Sequence, residues 1–166
     1  MPSFLLLSDL NEKQIAQYRD YVRKAFPPIT QASLVIQQNR PRLEQYFPET
    51  QLYMIDDSGD IMGLMNTIPL HWDQPMTELP DDGWDWMMTK GISDNKSNIT
   101  SNTLGGLQVI IPKHNQGKGY SKLIIVQMKA LVQVIGYKHF IIPIRPTFKP
   151  KHPEMDMTAY IKLKEG

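Results

Sequence analysis

The sequence predicts a mixed α/β fold in a single domain, residues 1–166, and three observations predict it. A helical pattern follows a short apolar stretch at the start, and a strand–turn–strand pattern lies in the middle of the chain. Near the end, a strand, a glycine-containing turn, a long helix and a second strand follow one another, an order that makes the two strands parallel if they share a sheet. With 166 residues, 41% of them apolar and 21% charged, the chain is long enough to bury one core.

Composition excludes several kinds of protein. The chain has no cysteines, which excludes disulfides and thiolate chemistry and suits a reducing cytoplasm. The opening MPSFLLLSDL lacks the signals of a secretion leader, and no stretch is apolar enough for a membrane span. The four histidines have no metal-ligand spacing. We therefore expect a cytoplasmic protein that holds no metal and does not enter a membrane.

The first half of the chain predicts a strand, helical segments and a hairpin. The strand covers Phe4–Leu7, and the helix after it carries one apolar face that Pro27 and Pro28 bring to an end. That face consists of Ile15, Tyr18, Val22 and Phe26. Residues 32–47 predict either two short helices or one helix broken at Pro41. The following stretch, TQLYMIDDSGDIMGLMNTIPL, predicts two strands around a tight turn.

Residues 71–102 predict a long loop with one or two helical turns near WDWMMTKGI. Loops of this length often carry function. The loop contains Trp72, Trp84 and Trp86. We favour these rings as cover for the core, because of the area that they bury, over a role in facing a ligand.

The second half predicts a strand–helix–strand unit. TLGGLQVIIP is a strand in which Gly105 and Gly106 mark a bulge or a close backbone approach. A helix with a wide apolar stripe covers residues 118–135, and Gly136 is placed as its C-terminal cap. KHFIIPI is the following strand, and Pro143 within it separates it from a neighbour or places it at an edge.

Charge is divided unevenly along the chain. Residues 1–94 carry 14 Asp and Glu against 7 Lys and Arg, whereas residues 95–153 carry 9 Lys and Arg and no acidic residue. Such a field of one sign concentrates anions, although basic side chains also simply solvate a surface. The basic segment therefore favours a polyanionic ligand as one of two interpretations.

The turn QGKGYS, residues 116–121, predicts an anion cradle. It does not match the Walker A pattern, because Pro112 stands where the first glycine is required, and it lacks the third glycine of the dinucleotide fingerprint. It follows a strand and opens a long helix, where unpaired backbone N–H groups converge and the helix dipole is positive. Glycines at 117 and 119 keep side chains away from those amides. These features indicate a pyrophosphate site.

This turn resembles motif A of the GNAT superfamily of N-acetyltransferases, Gln/Arg-x-x-Gly-x-Gly/Ala. Gln116, Gly119 and Ser121 occupy its three defined places, and Ser121 departs from the usual apolar residue while staying small. The order of predicted elements resembles that fold over about residues 1–145. The resemblance implies a mixed, mostly antiparallel sheet flanked by helices. It also implies that the fourth and fifth strands splay apart, with Pro143 at the opening, to admit a pantetheine arm.

The resemblance implies acetyl-CoA as co-substrate and direct transfer of an acetyl group to an amine. The implied cofactor-binding residues form one continuous region: Val109, Ile110 and Ile111, then Gln116, Gly117, Lys118, Gly119, Tyr120 and Ser121. The first three would pair their backbone with pantetheine amides, and the others would surround the pyrophosphate. Lys113, Lys118 and Lys122 would screen its charge.

Candidate catalytic residues are few. The fourth strand has no carboxylate where the family often has a Glu, so a base would come from Asp85 or Glu78 or act through water. Tyr160 lies near where the family often has a tyrosine that protonates the thiolate, and it fits a packing stripe equally well. The acceptor, whether a small amine, an antibiotic, an amino acid or a protein, stays open.

The C-terminus departs from the family pattern. About twenty residues follow Arg145, where the family usually adds a helix and two strands. We expect those two strands to be missing, so the domain is a shortened version, takes strands from a partner, or binds the cofactor without catalysis. An exposed sheet edge would favour a homodimer. Nucleic acid is a weaker alternative partner, because the basic segment lacks interleaved aromatic residues.

Overall fold

The computed structural model describes residues 2–25, 34–144 and 149–163 of the chain. Its strands and helices alternate in the order that the resemblance implies. They are β1 (Ser3–Leu6), α1 (Glu12–Ala25), α2 (Leu34–Tyr46), β2 (Leu52–Ile55), β3 (Ile61–Leu70), α3 (Gly83–Lys96), β4 (Thr103–Ile110), α4 (Tyr120–Ile135), β5 (His139–Ile141) and α5 (Met157–Tyr160).

The five strands form one sheet in sequence order. The first three pairings are antiparallel, and β4 pairs with β5 in parallel. The turn between β2 and β3 is closed by Asp56, whose carboxylate accepts from the amides of Ser58 and Asp60, both at 2.9 Å. The predicted mixed, mostly antiparallel sheet and the predicted hairpin are both confirmed.

The predicted splay of β4 and β5 is present. Pairing with β5 covers Thr103, Leu104 and Gly105, so the rest of β4, residues 106–110, has no strand partner on that side among the described residues. Strand β5 is shorter than predicted, because it ends at Ile141 and Pro143 lies beyond it. The proline cannot donate to a ladder, and the two strands separate before reaching it.

The predicted bulge lies in β4 opposite Asn66 and Thr67. Asn66 is opposite Gln108 and Thr67 is opposite Gly106, so Leu107 is the extra residue. A Cβ on Gly106 would lie 2.8 Å from Cε of Met65 and 2.9 Å from Cγ1 of Ile142. Glycine is therefore required here by close contact.

Helices cover both faces of the sheet. Helix α4 packs on one face, which contains Met54, Met65 and Leu104 and receives Ile124 and Met128 from the helix. Helices α1, α2 and α3 pack on the opposite face in two clusters, one around Tyr53 and Leu64 and one around Ile68 and Leu70. The sheet is thus the middle layer of three.

Helix α2 runs through Pro41 without a break, which corrects the predicted division into two helices. Tertiary packing outweighs the lost hydrogen bond, because Leu43 and the adjoining Phe47 are buried against α3 and β3. Helix α1 is described as far as Ala25, and the predicted end of that helix at Phe26, Pro27 and Pro28 lies outside the described residues.

The predicted long loop of residues 71–102 contains the 14-residue helix α3, which is longer than the one or two helical turns predicted there. Gly91 lowers the helix propensity of this segment, so the sequence predicts the helix poorly. Packing nevertheless requires glycine at this position, because a Cβ there would meet the Ile68 side chain and lie 2.7 Å from the carbonyl oxygen of Pro69. Trp72 and Trp86 meet edge to face with ring centroids 5.2 Å apart. The three tryptophans are partly buried against the core, as the favoured alternative predicted.

No helix within the described ranges combines the length and the apolar character that crossing a membrane requires.

Candidate functional site

The turn between β4 and α4 forms an open cradle. Gly117 and Gly119 both have φ of 76°, a left-handed conformation that other residues adopt only with strain. A Cβ on either glycine would meet nothing within 4 Å. These glycines are therefore required by backbone conformation, and the space above them is available to a ligand.

Five consecutive backbone N–H groups, Gly117 to Ser121, donate to no group in the described parts of the chain. The first amides of the helix that pair are those of Lys122 and Leu123, which both donate to the carbonyl oxygen of Gly119. Helix α4 begins without a side-chain cap. Unpaired amides at the positive end of a 16-residue helix make a site for an anion.

Side chains anchor the start of this cradle. Gln116 Nε2 donates to the carbonyl oxygen of Ile111 at 2.9 Å, which ties the turn to the end of β4. The buried side chain of Asn115 donates to the carbonyl oxygen of Met62 at 3.3 Å and accepts from Lys118 Nζ at 3.3 Å. The cradle is therefore anchored to the sheet below it.

The open part of β4 leads directly into the cradle. Val109 is half-buried and Ile110 is the last strand residue, whereas Ile111 follows the strand. The carbonyl oxygen of Leu107 accepts from Trp84 Nε1 at 3.0 Å. A Cβ on Gly83 would lie 3.4 Å from Cβ of Pro143, so the start of α3 lies against the chain that leaves β5. The structure thus places the nine predicted cofactor-binding residues along the open edge of β4 and the turn after it, a surface that we call the groove.

The two candidate catalytic residues are less well placed. Asp85 is exposed in the first turn of α3, two residues beyond Gly83. Tyr160 ends the short helix α5. Its ring lies 6.0 Å from that of His152. The structure gives neither residue a contact with the cradle.

Sequence reasoning missed a row of buried amides on the face that carries three helices. Gln51 is fully buried and Asn66 nearly so, and Gln108 is half-buried beside them. Asn66 Nδ2 donates to Gln51 Oε1 at 3.0 Å, and Gln108 Nε2 donates to Asn66 Oδ1 at 2.5 Å. The available signal was the presence of two amide residues inside otherwise apolar strands.

Two buried tyrosines lie on the same face. Tyr18 donates to Glu44 Oε1 at 2.7 Å, and its ring meets that of Tyr53 edge to face at 5.2 Å. Burial raises the pKa of both phenols above its ordinary value, so both stay protonated. The Tyr53 hydroxyl lies beside Asn66 and Tyr18, but it reaches hydrogen-bond geometry with no group in the described ranges.

No group of three or more potential metal ligands occurs within residues 2–25, 34–144 and 149–163. The site is therefore assigned from backbone amides and polar side chains alone.

Sequence comparison gives one related curated protein. No family model matches the chain. The arginine N-acetyltransferase avaD of Aspergillus versicolor is 27% identical over 101 residues, which cover 60% of this chain and 34% of that protein. The chain therefore spans about a third of the length of the curated relative that it matches.

Solved structures show the fold. The loading GNATL domain of CurA from Lyngbya majuscula matches with a TM-score of 0.71 at 13% identity, over 99% of this chain and 75% of that one. A GNAT family acetyltransferase from Brucella melitensis, in complex with acetyl-CoA, matches with a TM-score of 0.55 at 13% identity, over 92% of this chain and 81% of that one. The chain therefore has the GNAT fold.

Proposed function

We propose that this chain, as a protein of the GNAT fold, is an N-acetyltransferase that transfers an acetyl group directly from acetyl-CoA to an amine. One observation carries the proposal: five unpaired amides at the start of α4 continue directly from the open end of β4. A long ligand with a pyrophosphate at one end and amides along its arm fits both features. The related arginine N-acetyltransferase supports the activity.

Different residues of the groove would bind different parts of acetyl-CoA. Residues 116–121 would surround the pyrophosphate with N–H groups, and Lys113, Lys118 and Lys122 would offset its charge. Val109 and Ile110 would pair their backbone with the amides of the arm. Ile111 has a smaller role than its neighbours, because its carbonyl oxygen already accepts from Gln116.

Transfer requires an amine nitrogen to reach the thioester carbonyl with its lone pair free. Acetyl-CoA would supply the activated acetyl group, and the amine must lose a proton while the departing thiolate gains one. Asp85, acting through water from the mouth of the groove, is our candidate base, and Tyr160 is our candidate acid. Neither assignment rests on a contact with the cradle.

We extend the proposal to the domain and its surroundings. The chain would form one domain, and β5, an edge strand of the described sheet, would pair with a second copy of the chain. Absence of cysteine supports a reducing cytoplasm. Light scattering of the purified chain measures the oligomeric state, and a monomer at all concentrations contradicts the homodimer.

Calorimetric titration with acetyl-CoA tests the cradle. Gly119→Glu should weaken binding by at least about 100-fold, because a carboxylate would occupy the phosphate position and repel it. Gly136→Glu is the matched control, since Gly136 has φ of 86° at the opposite end of α4 and equally open surroundings. Equal losses in the two variants would contradict the proposal.

An acceptor screen tests the reaction. L-Arginine comes first, because the related enzyme is named for it, followed by a panel of primary amines. Acetyl-CoA binding with no transfer to any amine would favour the alternative function, a non-catalytic module that binds acyl-CoA. The comparisons do not favour that alternative, since the named relative is an acetyltransferase.

A further inference from the structure

We propose that the side-chain carbonyl oxygen of Gln108 receives an N–H group of the acceptor amine, and that the row Gln51–Asn66–Gln108 fixes the direction of that oxygen. The inference rests on the proposed function and assigns the amine end of the same site. It concerns amines that keep one N–H bond after acetylation, as primary amines do.

The row has a fixed orientation because both ends of the Gln51 side-chain amide bind backbone atoms whose roles are known. Gln51 Nε2 donates to the carbonyl oxygens of Phe47 and Thr67, both at 2.9 Å. Gln51 Oε1 accepts from the backbone amide of Thr67 at 3.1 Å. Turning this side-chain amide over would place oxygen against oxygen and nitrogen against nitrogen. Gln51 therefore stays in one orientation.

That orientation passes along the row. Since Gln51 presents its oxygen to Asn66, Asn66 must present nitrogen to Gln51, at 3.0 Å. Asn66 Oδ1 then faces Gln108, which must present its own nitrogen, at 2.5 Å. The orientation of each side-chain amide thus determines that of the next one. The last oxygen of the row, Gln108 Oε1, has no partner within the row.

Gln108 Oε1 accepts from no group in the described parts of the chain, and its side chain is half-buried rather than fully exposed. It belongs to the segment of β4 that has no partner on the β5 side. Leu107, next to it, is held by the Trp84 indole. The free acceptor therefore belongs to the open segment of β4, along which the acyl group of the proposed ligand would lie.

A neutral carbonyl oxygen at that point can orient an amine without removing its proton. The amine would donate one N–H to Gln108 Oε1 and direct its lone pair at the thioester carbonyl. The C–N bond then forms, the C–S bond breaks, and the proton displaced from nitrogen leaves to water or to the thiolate. The N–H bound to Gln108 stays on nitrogen and becomes the N–H of the product amide.

Gln108→Met, Gln108→Glu and Asn66→Leu test the inference in the full chain. Coenzyme A affinity is measured by calorimetry, and acetyl transfer to L-arginine and the amine panel is followed by thiol release across pH. Gln108→Met should keep its coenzyme A affinity within about 2-fold and lose at least about 10-fold in kcat/KM for the amine. Gln108→Glu should keep part of the activity and add a limb at acidic pH, because its carboxyl titrates.

Asn66 acts through Gln108 and is a positioning residue. Asn66→Leu should raise KM for the amine more than it lowers kcat, since the Gln108 amide is then free to turn over. We expect the side-chain N–H resonance of Gln108 to be protected from hydrogen exchange in the wild type and to lose that protection in Asn66→Leu. A structural role alone would lower stability without these two changes.

Outcomes separate the inference from the proposed function. Loss of coenzyme A binding by the wild type defeats the proposed function. A wild type that binds coenzyme A, together with full amine kinetics in Gln108→Met, overturns the inference alone. A wild type that binds coenzyme A and acetylates no amine also overturns it, because Gln108 then has no amine to receive.

Discussion

The two faces of the sheet bury different kinds of side chain. The face under α4 is mostly apolar where it is buried, with Met54, Met65 and Leu104 against Ile124 and Met128. The face under α1, α2 and α3 buries amides and phenols among its apolar residues, with Gln51, Asn66 and Tyr53 nearly or fully inaccessible. An apolar layer needs only shape, whereas each buried polar group needs a partner. The α4 face therefore holds the cradle rigid, and the opposite face carries the directional hydrogen bonds.

Met128→Ala should have the largest effect on stability and little effect on transfer. Met128 is fully buried, so its truncation leaves a cavity and should cost about 3 kcal/mol of unfolding free energy. Denaturant unfolding measures the loss, and kcat/KM below the transition should stay near the wild-type value. A large loss of transfer in the folded variant would show that the apolar face also directs the chemistry.

Gln51→Leu should lower both stability and transfer. Removal of its amide takes the Gln51 partner from the carbonyl oxygen and the N–H of Thr67 and from the side-chain N–H of Asn66, at a cost of about 2 kcal/mol or more. Asn66 also loses the acceptor that orients it, so amine KM should rise as in Asn66→Leu. Denaturant unfolding measures the loss of stability, and kinetics on the same preparation measure the amine KM. A variant that loses stability while keeping its amine KM would separate the row from the reaction.

His71 extends the polar face and should make its stability depend on pH. Its Nδ1 lies 2.8 Å from the carbonyl oxygen of Thr100, and its Nε2 lies 2.5 Å from Asp73 Oδ2. Two acceptors favour the doubly protonated ring, so the Thr100 carbonyl first, and then Asp73, raise the pKa of His71 above 6.5. His71 in turn holds the pKa of Asp73 below 3.8.

The sign follows from linkage. The His71 contribution is complete below pH 6.5 and disappears as pH rises through its raised folded-state pKa. The Asp73 contribution is complete above pH 3.8 and disappears as pH falls through its lowered folded-state pKa. The melting temperature of His71→Gln should therefore fall furthest below the wild type between these two values. A gap that widens above pH 6.5 would contradict this assignment.

Tyr53→Phe should have the smallest effect. The hydroxyl that it removes is buried without a hydrogen-bond partner among the described residues, so unfolding free energy should change by less than about 0.5 kcal/mol or rise slightly. Tyr18→Phe is the contrast, because it leaves Glu44 without its 2.7 Å donor. A clear loss in Tyr53→Phe would mean that the hydroxyl does have a partner, such as a bound water.

Features formed by residues close together in the sequence could be predicted, whereas features formed by residues far apart could not. The cradle is a local backbone feature of six consecutive residues, QGKGYS, so turn chemistry and the following helix identified it. The splay and the bulge also had local signals, in Pro143 and in the glycine pair of β4. The positions of the catalytic acid and base had no local signal in the sequence, and Asp85 and Tyr160 remain proposals.

Features built across distant segments escaped sequence reasoning. The amide row joins residues 51, 66 and 108, and no spacing rule links three strands. The length of helix α3 was missed because Gly91 lowers helix propensity, while its actual requirement is the close approach of Ile68 and Pro69. Helix α2 survives Pro41 for a similar reason, since buried neighbours on other elements stabilise it.

The extra residue at Leu107 sets a strict limit on how this gene region can change length. Before the bulge, Thr103 and Gly105 are opposite Leu70 and Ile68, whereas beyond it Gln108 and Ile110 are opposite Asn66 and Leu64. Odd positions share a face on one side of the bulge and even positions on the other. Deletion of codon 107 would remove only the bulge, because Gly106 would stay opposite Thr67 and Gln108 would stay opposite Asn66. A deletion elsewhere in β4 would instead turn the residues between it and the bulge to the other face. Surface loops of this protein can drift in length over generations, but this strand can lose a residue only at its bulge.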